Sequence, residues 1–437
     1  MSIQTYKNQQ SRACIGLARS IRSFGLAVSC LGIVCSVNAQ AATVIATAPS
    51  VSSTETSALR QALDDAWQLS PHARTESSRR SELLAKRAAA HHWVSGEPSV
   101  SLAHRTDRLT RNDGFREYEA EIELPLWNPG VRAATQAELV ELQQQLETNL
   151  AHHKLKLAGE LRTLAAAAAT AQVELNLNQR KLLELTQLET DVSRRVKAGE
   201  NARIDSLYAQ VQIQQAQAAM AQAESQLSRL QNQWRSLTGQ ASFAVMDEQS
   251  ANPATLDTPI VPSHPTLQYA QAQLNSARAK LNLAQADQRD PMSLGVGVSR
   301  ERGAFASAND TKLRVALRIP LGGDNRNAPR IAAARAELDT ALAEVDTTQR
   351  QLQAEAAAAT AELRAARTAL AAAQVRVRLS TEVQTLITQS WRLGESDLPT
   401  RLRADNELFE ASLSQSRATI DVQRAIANLN QAQGTLP

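Results

Sequence analysis

The sequence repeats itself at long range, and this limits the fold more than any local feature does. Pro125-Leu126 recurs as Pro320-Leu321, Gly199-Glu200 as Gly394-Glu395 and Gly239 as Gly434, each time 195 residues later. Ser70-Pro71 against His264-Pro265, and Ala137-Glu138-Leu139 against Ala336-Glu337-Leu338, echo the same frame more weakly. A long period present twice means one supersecondary unit built twice. The two copies are read as residues 57–240 and 263–437, joined by a linker at 241–262.

Each copy reads as helix, strand, strand, long helix, turn and shorter helix. In the first, Ser57 to His92 is helical by pattern, and two alternating stretches at about 98–107 and 115–124 flank an Asn112-Asp113-Gly114 turn signal. Pro125 is expected to stop the second strand. From Pro129-Gly130 onward nothing stronger than Gly159 interrupts the helical pattern before Gly199, about 70 residues or ~105 Å. The return helix to Gly239 would span ~60 Å and the opening helix ~54 Å, so two short helices laid end to end match one long one. The second copy places strands at about 293–301 and 311–319, a long helix from Pro329 to Gly394 and a last helix from Leu398 to Gly434. Long helices beside stacked pairs of short ones suit the wall of a cylinder.

Composition agrees. Only 3% of residues are aromatic, too few for a conventional core in a chain of 437 residues. Ala, Gln, Leu, Glu and Arg dominate, as in long helices that pack small side chains. A net charge of +3 offers no strongly basic face, which argues against a nucleic-acid partner. Residues 1–41 read as a secretory signal, with Lys7, Arg12, Arg19 and Arg22 before the apolar stretch Phe24 to Val37 and cleavage near 39–41; a short linker follows at 42–56. Cys14, Cys30 and Cys35 all lie inside that signal, so the exported chain is expected to carry neither thiol nor disulfide. Neither Cys30 nor Cys35 has the surroundings of a good lipidation site.

Beyond the signal no run approaches the ~18 to 20 apolar residues of a spanning helix, so any membrane crossing must be made by strands. Arg116 to Leu124 puts Tyr118, Ala120, Ile122 and Leu124 on one face and Glu117, Glu119, Glu121 and Glu123 on the other. Its counterpart in the second copy sets Leu313, Val315, Leu317 and Ile319 against Lys312, Arg314 and Arg318. One face is lipid-facing and the other lumen-facing in this reading. Four strands per chain cannot close around a channel; three chains would supply twelve and leave no open edge in lipid. The charge rows keep two readings, as stacked rings that concentrate cations or as rows that neutralise each other in neighbouring strands.

At this point the pattern resembles the TolC family of outer-membrane factors, over nearly the whole stretch from Ser57 to Gly434. The resemblance is carried by Glu121-Ile122-Glu123-Leu124-Pro125-Leu126-Trp127-Asn128-Pro129-Gly130 and its echo Arg318-Ile319-Pro320-Leu321-Gly322-Gly323, each followed by an Ala-Glu-Leu helix. Two tips carry it as well, Val196-Lys197-Ala198-Gly199-Glu200 and Trp391-Arg392-Leu393-Gly394-Glu395. It implies a mainly α chain with a small β part: a homotrimer with an α-helical barrel and a twelve-stranded transmembrane β-barrel in the outer membrane of a Gram-negative bacterium. The tips at Gly199, Glu200, Gly394 and Glu395 would face a periplasmic adaptor linked to an inner-membrane pump, of the RND type. Asp205 and Asp397 would flank the entrance, and Pro125, Trp127, Pro129, Gly130, Pro320, Gly322 and Gly323 would form the strand-to-helix turns. The Pro-Leu-Trp-Asn-Pro-Gly turn looks like the CzcC branch, which implies divalent heavy-metal cations as cargo.

Other classes fit less well. No phosphate loop, nucleophile elbow or cofactor motif suggests an enzyme. A periplasmic adaptor would need a β-domain split around one helical hairpin, and a coiled-coil filament would not interrupt each copy with a strand pair. Organic-compound efflux and type I secretion remain alternative cargoes. His91-His92 and His152-His153 are poor metal sites, because neighbours on a helix point about 100° apart.

Overall fold

A computed structural model describes residues 57–248 and 263–437, all within one compact unit. The expected signal, the linker at 42–56, the three cysteines and residues 249–262 of the second linker lie outside the described residues. In chain order the elements are α1 (Ala58–Leu69), α2 (Pro71–His91), β1 (Ser99–Thr106), β2 (Arg116–Leu126), α3 (Val131–Lys197) and α4 (Arg203–Thr238). There follow α5 (Pro265–Ala286), β3 (Met292–Arg302), β4 (Asp310–Arg318), α6 (Asp324–Leu393) and α7 (Leu398–Ala432).

Several boundaries differ from the sequence reading. The opening helix is broken at Ser70, whose hydroxyl accepts from Ala73 N at 3.2 Å while Pro71 takes the first helical position. His264 and Pro265 start α5 in the same way, so α2 and α5 are the true counterparts and α1 is an addition to the first copy. Strand β2 runs through Pro125 to Leu126 rather than stopping at the proline. Pro125 keeps its carbonyl in use, accepting from Ser95 N at 2.9 Å. Helix α3 starts at Val131, just beyond Pro129 and Gly130, and α6 starts at Asp324 with Pro329 inside its second turn.

The long helices have 67 and 70 residues, about 100 Å each. They carry the strands at one end and the turns to α4 and α7 at the other. Their partners use alanine at heptad spacing: Ala209, Ala216 and Ala223 in α4, and Ala404, Ala411, Ala418, Ala425 and Ala432 in α7, all buried. No leucine heptad is needed, because a row of methyl groups every seven residues lets two backbones approach closely along a seam. Helix α5 lies against both α3 and α6, and α7 against both α6 and α3, which ties the two copies together.

The copies are also pinned by a buried charge. Arg162 of α3 and Glu248 pair at 2.9 Å with side chains only 3% and 8% exposed. The guanidinium also donates to Gln431 Oε1 at 2.6 Å and to the Thr435 carbonyl at 3.0 Å, and Asn430 Nδ2 donates to Glu248 at 3.0 Å. Each guanidinium nitrogen and both carboxylate oxygens of the pair are thus hydrogen-bonded, as burial of a charge demands. We expect Glu248→Ala to destabilise the chain by about 3 to 5 kcal/mol, since it strands a buried guanidinium. Glu337→Ala, which removes an exposed pair with Lys280, should cost less than about 1 kcal/mol. Chemical denaturation of both variants in detergent distinguishes the two.

Candidate functional site

The four strands form one antiparallel sheet in the order β1-β2-β3-β4, so the copies join where β2 pairs with β3. Residues in direct register share a face. Glu117, Glu119, Glu121 and Glu123 therefore stand with Arg105 of β1, with Ser293, Gly295, Gly297, Ser299 and Glu301 of β3, and with Lys312, Arg314 and Arg318 of β4. The opposite face carries Val100, Leu102, Tyr118, Ile122, Leu124, Val296, Val298, Leu313, Val315 and Leu317, with Ile319 just past the end of β4.

The acidic and basic rows are not neighbours, because β3 lies between them. What lets them meet is the small side chains of β3. A Cβ on Gly295 would collide with the Glu121 carboxylate, and one on Gly297 would press on the Glu121 Cβ at 3.2 Å. Across this low strand Arg314 reaches Glu119 at 3.3 Å; at the hairpin end Arg105 pairs with Glu117 at 3.4 Å and Lys312 with Glu301 at 3.0 Å. Among the described residues Glu121, Glu123 and Arg318 have no ion-pair partner. The charged face thus neutralises itself in part, over a gap the sequence reading did not foresee.

The sheet is inverted relative to a soluble one. Its acidic row is half-buried, while most apolar side chains of the opposite face stand open, from 40% exposed for Val296 to 79% for Leu102. Leu124 is the only half-buried member of the predicted lipid-facing set. No helix among the described residues is long and apolar enough to cross a membrane.

The turns after β2 and β4 anchor the sheet to the helices. Trp127 Nε1 donates to the His92 carbonyl at 2.9 Å, and buried Asn128 donates to the carbonyls of Arg289 and Asp290 at 2.8 and 3.1 Å. Arg132 donates to the Ala90 and His91 carbonyls at the end of α2. Arg330 does the same to Asp287 after α5, so each short helix has a cation at its negative end. These capping arginines escaped the sequence reading, although a basic residue at corresponding places early in both long helices was visible. Pro129, Gly130, Pro320, Gly322 and Gly323 lie in the same turns.

At the far end Gly199 and Gly394 hold φ of +82° and +78°, and the next amides, Glu200 and Glu395, close back to the Arg195 and Ser390 carbonyls at 2.9 and 3.0 Å. Both long helices therefore stop in the same left-handed turn, which glycine adopts without strain. Glu200 and Glu395 are exposed. Asp397 caps α7, accepting from Thr400 N at 3.0 Å, and hydrogen bonding from Thr400 holds its carboxyl below the usual range. Asp205 accepts from Asn201 Nδ2 at 2.9 Å. The tips share a core in which Trp391, under the Arg195 guanidinium at 5.3 Å, packs with Leu188, Val192, Leu398 and Leu402. Beside it opens a cleft of about 780 Å³ lined by Lys181, Glu184, Arg401 and Asp405 among others. Burial pushes Lys181 and Arg401 down and Glu184 up.

His152 and His153 engage different partners. His153 stacks on His72 at 3.6 Å, while His152 meets Thr266 Oγ1 at 3.1 Å, and burial pushes both imidazoles down.

Residues 261–435 match the family model described as outer membrane efflux protein. The second copy of the repeat is thereby similar to the outer membrane efflux protein family. Over 274 residues it is 28% identical to protein CyaE of Bordetella pertussis, covering 55% of this chain and 56% of that one, so the match spans little more than half of the relative. The fold is similar to the outer membrane protein VceC of Vibrio cholerae, with a TM-score of 0.70 at 15% identity over 86% of this chain and 96% of that one. It is similar also to the open state of the Neisseria gonorrhoeae MtrE outer membrane channel, with a TM-score of 0.67 at 17% identity over 86% and 89%.

The two sheet faces should respond oppositely to charge. Ile122→Arg or Leu317→Arg is expected to cost about 2 to 4 kcal/mol on insertion if the residue lies at mid-bilayer. Glu121→Gln should leave insertion unchanged. Folding yield into lipid vesicles, read by heat-modifiable gel mobility, separates the two faces.

Proposed function

We propose that this chain is the outer-membrane channel of a tripartite efflux system, a passive export duct of three identical subunits. The observation that carries the reading is the inverted sheet with two open edges, β1 and β4. A bilayer offers backbone groups no hydrogen bonds, so such a sheet is stable there only when closed, and three copies supply twelve strands. The helical layer supports the same closure. Helix α4 exposes Ile204, Leu207, Tyr208 and Val211, an unbroken apolar stripe, and α6 exposes Val375, Leu379, Val383 and Leu386. A stripe on each flank of the chain suits neighbour-to-neighbour contact around a ring.

In this reading the strands lie in the outer membrane of a Gram-negative bacterium, and the helices extend about 100 Å into the periplasm. The tips at Gly199 and Gly394 meet a periplasmic adaptor, which joins the duct to an inner-membrane pump of the RND type. Divalent heavy-metal cations are the cargo favoured by the turn resemblance, and the unpaired Glu121 and Glu123 suit a cation path. Organic-compound efflux and type I secretion are the competing cargoes.

A deletion strain grown on graded zinc, cobalt, cadmium and copper, beside dyes and detergents, tests the cargo. Lost metal tolerance with unchanged resistance to organic compounds is the expected result, and the reverse pattern overturns the metal assignment. Separately, cysteines replacing Glu200 and Glu395 should crosslink to an adaptor in intact cells, whereas a cysteine at exposed Glu97 near the sheet should not. Absence of tip crosslinks with a functional duct would remove the adaptor-facing role of the tips.

A further inference from the structure

On the apolar face the strands form four successive rows without a charge: Leu126, Met292 and Ile319; Leu124, Leu294 and Leu317; Val100, Ile122, Val296 and Val315; Leu102, Ala120, Val298 and Leu313. At about 6.7 Å per pair of residues these rows cover ~20 Å of strand, which at the ~40° tilt of barrel strands is roughly 15 Å of height and fits inside the apolar band of a transmembrane barrel. The next row toward the hairpin tips changes character. His104 and Tyr118 stack with ring centroids 4.5 Å apart, and Tyr118 stands opposite Arg300. One row further, Arg116 and Arg302 stand directly opposite each other. The apolar band therefore ends in a row that holds the aromatic pair and Arg300, followed by a row that holds Arg116 and Arg302, all on one face.

Two like charges in direct register are unfavourable unless an anion lies between them. The same strands show the contrast. On the charged face at this height, Arg105 and Lys312 each have a carboxylate. On the apolar face Arg116 and Arg300 have no ion pair or side-chain hydrogen bond among the described residues, and Arg302 reaches only the Gly114 carbonyl at 3.3 Å and the Phe305 ring. No carboxylate of β1 to β4 projects on that face to balance them.

We infer that Arg116, Arg300 and Arg302 form a binding site for the phosphate groups of an anionic lipid headgroup, held at the rim of the apolar band. The guanidinium is suited to this role, since its planar fork takes phosphate oxygens in pairs. The site rests on the reading of the sheet as membrane-spanning, because the band fixes the headgroup at the height of the arginines. A lipid satisfies both halves of the surface at once, acyl chains along the valines and leucines and phosphate on the arginines.

The test uses the trimer inserted in phosphatidylcholine vesicles, with and without a minor fraction of diphosphoryl lipid A. The unfolding temperature of the wild type should rise with the lipid. The triple variant R116Q/R300Q/R302Q should insert normally into neutral vesicles, show no rise, and retain the lipid about a hundredfold less tightly in titration. Arg105→Gln, on the opposite face at the same height, should keep the rise. An equal rise in the triple variant, or the same rise from inorganic phosphate alone, would overturn the site. Failure of the wild type to enter neutral vesicles would instead bring down the membrane reading on which it stands.

Discussion

Most of this structure follows from one constraint, that a sheet with an open apolar face and two open edges is incomplete by itself. Four strands expose Leu313, Val315 and Leu317 on one side, and among the described residues no further strand pairs with the outer edges of β1 and β4. Water would penalise the face and hydrocarbon would penalise the edges. Continuation into further copies of the same sheet, as in the proposed ring of subunits, would relieve both penalties.

The helical part solves a different problem, how to make a wall about 100 Å long from a chain poor in aromatics. Alanine seams let α4 and α7 lie close along the long helices, and bulky side chains are kept for three places. Trp234 with Leu59, Leu63 and Leu161 fills the middle, where the buried Arg162 and Glu248 join segments of both copies. Trp391 with Leu398 and Leu402 fills the tips. Trp127 and Asn128 tie the strand ends to α2 and to the segment before β3. The rod is therefore held at its middle and its two ends, with narrow seams between.

Charge is handled by position rather than by amount. On the charged face, two glycines in β3 lower the surface so that Arg314 of β4 reaches Glu119 of β2. At the helix ends Arg132 and Arg330 satisfy carbonyls that would otherwise be left over, and Asp397 does the same for amides of α7. Surface pairs such as that of Lys280 and Glu337 add little to this, since both partners are half exposed.

The sequence by itself determined the repeat, the strand faces and the two glycine tips. Those features are local or periodic: side chains alternate along a strand whatever lies beside it, and a left-handed helix end selects glycine on backbone grounds alone. The break at Ser70 escaped the sequence reading although Ser70-Pro71 carries a helix-start signal, because the helical pattern on either side of it reads as continuous. Nor did it show that β3 separates the charge rows, because alternation is the same for any strand order. Only the tertiary structure decided which strands are neighbours, which arginine meets which carboxylate, and that Arg162 is buried against a residue 86 positions away. Pairing between distant segments depends on the packed whole, whereas the orientation of each side chain is already fixed by its own backbone.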